Sequence, residues 1–115
     1  MSSTYLFFQP AFLPLTPSNL DETAVRPLVP EDRVRDLLSQ VMPEVQWSNA
    51  SEGRAELDGR WLEFNLGSGA GTLSMRCSLR ADHSDIVQRL CDQLGWVAFD
   101  ERPFCFQPHH APFPA

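Results

Sequence analysis

Two alternating stretches, Ala55–Leu66 and Thr72–Leu79, dictate three strands and also the register in which they pair. Successive side chains of a strand point to opposite faces, so Leu62, Phe64 and Leu66 share a face with Leu73, Met75, Cys77 and Leu79. Trp61, Glu63, Asn65, Ser74, Arg76 and Ser78 point the other way. Matching apolar faces across the Gly67-Ser-Gly-Ala-Gly71 connection pairs Leu66 with Leu73, Phe64 with Met75 and Leu62 with Cys77, and sets Glu63 opposite Arg76. Asp58-Gly59 is a two-residue hairpin turn by composition. It pairs Ala55 with Leu62, Glu56 with Trp61 and Arg54 with Glu63. An Arg54–Glu63–Arg76 rung, with Glu56 and Trp61 beside it, is therefore expected on the face turned away from the core.

The remaining segments complete the plan. Thr4–Gln9 is apolar on both faces and reads as a central strand ended by Pro10. A long proline-rich connection over 14–29 follows, with Thr16-Pro17 opening one helical turn; it is either a functional loop or a cover for the sheet. Pro30–Met42 is a helix. Proline opens it, Glu31 and Asp32 occupy its positive first turn, Val34, Leu37, Leu38 and Val41 form its apolar stripe, and Pro43 stops it. Glu44–Trp47 reads as a short strand. A second helix runs from a cap at Asp82, backed by Asp85, through Ile86, Leu90 and Leu94, and ends at Gly95; His83 is expected on its exposed first turn. Trp96–Asp100 begins a last strand that resumes at Phe104–Phe106 after Pro103, and 107–115 reads as a proline-rich, unordered tail.

The implied architecture is α+β over residues 1–106. Two helices pack on one face of a mostly antiparallel sheet of four to five strands, in the order β-α-β-β-β-α-β of a ferredoxin-like plait variant. One core is expected to hold Phe7 or Phe8, Val34, Leu37, Leu38, Leu62, Phe64, Leu73, Met75, Leu90 and Phe99. The other sheet face, carrying Arg54, Glu56, Trp61, Glu63 and Arg76, is left without helices.

Composition narrows the function. A formal net charge of −6 argues against duplex nucleic acid as a partner, since affinity for phosphates comes from clustered basic residues. All nine basic residues are Arg, which removes every lysine-dependent mechanism. The amino terminus lacks the basic start of a signal peptide, and no stretch has the apolar length of a membrane span. Three widely spaced cysteines, Cys77, Cys91 and Cys105, fit reduced thiols in the cytoplasm.

No constellation points to catalysis, a metal or a cofactor. Cys105-x3-His109, next to His110, is half of a zinc or thiol-base pattern without its other half. The glycine-rich run joins two strands and lacks the following helix and lysine of a phosphate loop. The reading is a small acidic, non-enzymatic binding protein. Its partner is another protein of basic character, of the kind met by an inhibitor or immunity protein, docked on Trp61, Arg54, Glu56, Glu63 and Arg76. A ligand pocket or small active site under the 14–29 loop, and self-association as a homodimer, are the alternatives.

Overall fold

The computed structural model describes residues 2–28, 31–67, 72–78, 82–102 and 104–115. Along the chain lie β1 (Ser2–Pro10), β2 (Val25–Arg26), α1 (Glu31–Val41), β3 (Gln46–Trp47), β4 (Glu52–Leu57) and β5 (Arg60–Leu66). Then follow β6 (Leu73–Ser78), α2 (Ser84–Leu94), β7 (Val97–Phe99), β8 (Phe104–Gln107) and β9 (His110–Pro114). The class is α+β. The described strands form one sheet in the order β3-β4-β5-β6-β1-β7-β8-β9, with β2 paired to β1 and every pairing antiparallel.

The register is the one that face matching requires. Across β4–β5 the pairs are Arg54 with Glu63, Ala55 with Leu62 and Glu56 with Trp61. Across β5–β6 they are Leu62 with Cys77, Glu63 with Arg76, Phe64 with Met75 and Leu66 with Leu73. Asp58 and Gly59 have φ of 52° and 77°, the double left-handed conformation that suits the right-handed twist of a tight hairpin. Leu79 and residues 68–71 of the glycine-rich run lie outside the described residues.

Among the described residues the sheet has nine strands rather than four or five. One of the additions, β2, is two residues long, too short for alternation to register in the sequence, whereas the short strand expected within Glu44–Trp47 is β3. The expected last strand is a hairpin, because Asp100 folds it back. One Asp100 carboxylate oxygen accepts from the amides of Arg102 (3.0 Å) and Phe104 (2.6 Å), and the other accepts from Arg102 Nε (2.9 Å) and Nη2 (2.7 Å). Residues 107–115, expected to be unordered, instead reverse at Pro108-His109 and add β9. His109 sits at φ 60° and its amide donates to Asp92 Oδ1 at 2.7 Å, tying the turn to α2.

Both helices cover one face. Between them and the sheet lie Tyr5, Phe7, Leu62, Phe64, Leu66, Leu73, Met75 and Cys77, met by Val34 and Leu38 of α1 and by Ile86, Val87, Leu90 and Cys91 of α2. Leu37 packs half-buried at the rim of this core. Phe99 is a correction. Its partner across the ladder is Leu6, and it stacks edge-on with Phe8 at 5.9 Å on the far side of the sheet.

The start of α2 also departs from expectation. His83, not Asp82, precedes the first helical residue and makes no side-chain cap. Asp82 accepts from the Ser84 amide at 2.9 Å, while Asp85 turns to Arg60 at 3.1 Å, so the capping pair does not form. His83 is buried rather than exposed, with Nε2 donating to the Ser78 carbonyl at 2.7 Å. At the other end Gly95 takes the left-handed conformation and its amide donates to Cys91.

Beside α1, Gly53 of β4 makes room for an aromatic side chain. A Cβ there would fall 2.8 Å from Val45 Cγ1 and 2.9 Å from Trp47 Cε3, and Trp47 Nε1 donates to Ser39 Oγ of α1 at 2.9 Å. Gly53→Ala is expected to destabilise by about 1–3 kcal/mol, the range for overpacking a filled site. Denaturant unfolding checks it: an unchanged midpoint would mean that the β3 edge yields freely.

Candidate functional site

The face opposite the helices is divided in two. Over β1, β7, β8 and β9 it is covered by the connection between β1 and α1. Leu15 and Ala24 are buried there with Val97 and Cys105, and Leu20 and Val25 pack with Phe8, Phe99 and Phe113. The buried Gln107 side chain fastens this cover, accepting from the Leu15 amide at 2.7 Å and donating to the Leu15 carbonyl at 2.8 Å. Over β4, β5 and β6 the same face is open, because the cover stops at the centre of the sheet.

All five residues singled out from strand parity lie on this open half. Arg54 Nη2 stands 4.0 Å from Glu63 Oε1, and Arg76 Nε stands 3.8 Å from Glu63 Oε2, so one carboxylate is shared by two guanidinium groups. These are long pairs between solvated side chains, Arg54 being 80% exposed, and such pairs contribute about 0–1 kcal/mol each. The rung therefore contributes little to the stability of the fold. Trp61 is 36% exposed, and the Arg76 guanidinium lies over its ring at 6.0 Å from the centroid. Glu56 is exposed beside it on β4.

Two hollows flank the rung. One, of about 400 Å³, is lined by Thr4, Glu52, Asn65 and Ser74 together with Arg54, Glu63 and Arg76. The other, of about 530 Å³, is lined by Trp61, Glu44, Gln46, Glu56, Arg54 and Glu63. Neither hollow was read from the sequence. Asn65 and Ser74 share the parity of the rung, and Thr4 joins them because β1 pairs with β6 in a register that sets Thr4 against Arg76. Glu44 and Gln46 come to the site through the β3–β4 pairing of Gln46 with Arg54.

The cysteines lie elsewhere. All three are buried as free thiols, and burial pushes Cys77 up to about 11, Cys91 to about 12 and Cys105 to about 11, away from the thiolate form a nucleophile needs. The fold separates Cys105 from His109: the thiol is under the 11–28 cover, whereas His109 faces Asp92 on α2. Among the described residues no group of three or more His, Cys, Asp or Glu side chains is placed to hold a metal ion, and no helix is long and apolar enough to cross a membrane. No known protein family, curated protein or solved structure matches this chain.

Proposed function

We propose that this is a non-enzymatic binding protein that docks another protein on the open half of its sheet, as an inhibitor or immunity-type protein does. The observation that carries the reading is the division of one sheet face: a purpose-built cover with its own small core ends at β1 and leaves a half-exposed Trp61 framed by Arg54, Glu56, Glu63 and Arg76. Aromatic and arginine side chains surrounded by polar groups are the composition of interface hot spots. The central order β5-β6-β1-β7, with both helices on one face, supports reading the fold as an extended ferredoxin-like plait whose bare face serves recognition. Three buried free thiols fit a reducing compartment such as the cytoplasm. A ligand site beneath the loop has less to stand on, since Leu15 and Ala24 fill that space with their own side chains.

Affinity capture from the native host, with the wild-type chain and Trp61→Ala as parallel baits, tests the proposal. A partner retained by the wild type and lost by Trp61→Ala is the expected result, with the variant's folding free energy lowered by less than about 1 kcal/mol because the indole lies outside both cores. Equal capture by the two baits would move recognition away from this face.

A further inference from the structure

We infer that the hollow beside Trp61 receives an arginine side chain of a basic protein partner. The inference rests on the docking reading above and specifies the chemistry of what is docked.

The hollow has three carboxylates, Glu44, Glu56 and Glu63, against one guanidinium, Arg54. Glu63 is engaged by Arg54 and Arg76, whereas Glu44 and Glu56 make no ion pair among the described residues. Glu44, in the turn that precedes β3, and Glu56 of β4 are both exposed and both line this hollow. Like charges lining one hollow repel each other, and a cation bound between them removes that cost. The wall of the hollow is the Trp61 indole, and the structure already shows that ring with a guanidinium over it, that of Arg76. Arg76 lines the hollow on the other side of the rung and not this one, so a guanidinium entering here would meet the indole and two unpaired carboxylates. A planar, delocalised cation suits both at once, stacking on the aromatic wall while its N–H groups fork onto carboxylate oxygens. The net charge of −6 favours approach of a basic surface over long range.

The test is a titration with a tetra-arginine peptide at low salt, read by the chemical shift of the Trp61 indole N–H, with a tetra-citrulline peptide as the neutral isostere. Expected are a saturable shift with arginine that citrulline does not reproduce, and an apparent Kd raised at least about 5-fold in Glu44→Gln/Glu56→Gln, a double variant of exposed residues that leaves the core intact. No saturable shift, an equal response to citrulline, or a Kd unmoved by the double variant would overturn the inference. The two readings fail separately: a captured partner whose affinity depends on Trp61 and not on Glu44 and Glu56 leaves the docking reading standing and removes this one.

Discussion

Phe64→Ala is expected to lower folding stability by about 3–5 kcal/mol, the range for removing an enclosed aromatic ring. Phe64 is 1% exposed and sits on the middle strand of the β4-β5-β6 run, opposite Met75 on one side and Gly53 on the other. Its neighbours belong to a ladder whose register is fixed at a tight turn, so the surrounding backbone has little freedom to collapse into the space. Met75 and the helix residues would line a cavity instead. Denaturant titration reads the effect as a shifted midpoint at unchanged slope. A loss below about 1 kcal/mol would place Phe64 outside a packed core.

Asp100→Ala comes next, at about 3 kcal/mol. The carboxylate is almost fully buried and accepts from two backbone amides and from the Arg102 guanidinium, so its removal leaves the Arg102 and Phe104 amides without their acceptor inside the β7–β8 turn. Burial alone would push the Asp100 carboxyl up, but the Phe104 amide and the amide and guanidinium of Arg102 outweigh it and hold the group below the usual carboxylate range. A carboxyl depressed in the folded state adds stability above its unfolded value, about pH 4, and that contribution disappears as the pH falls through the folded value. Wild-type stability should therefore drop below about pH 4 more steeply than that of Asp100→Asn, which does not titrate. Parallel curves in acid for the two proteins would show that Asp100 is not held as described.

What the sequence revealed about this fold follows from the length and regularity of its periodic segments. From Arg54 to Ser78, alternation and a left-handed Asp58-Gly59 turn determine face and register together, and a slip of one residue would exchange core for solvent, so the pairing is legible to the residue. The stripes of α1 and α2 were legible for the same reason. The far half of the sheet was not. The hairpin of β7 and β8 depends on one buried carboxylate gathering donors two and four residues ahead, and β9 depends on a non-glycine residue, His109, adopting positive φ with Asp92 as its amide's acceptor. Neither interaction leaves a periodic trace. Phe99 lies in the second core and not in the one expected, because a strand with apolar residues on both faces does not announce which face belongs to the helices. For the candidate site, parity places five residues on one face, whereas Thr4 reaches it through the pairing of β1 with β6, strands far apart in sequence, and Glu44 and Gln46 through the pairing of β3 with β4, whose partner and register so short a strand does not reveal.

Recognition by the open half of the sheet is tested most directly by titrating the captured partner into four proteins: wild type, Trp61→Ala, Trp61→Ala/Arg76→Ala, and Gln93→Ala on the exposed side of α2 as a control. The expected result is a Kd raised about 30-fold or more by Trp61→Ala, equivalent to about 2 kcal/mol, a further rise in the double variant, and no change in Gln93→Ala. Affinity unchanged in the double variant, or lost only in the helix-face control, would contradict it.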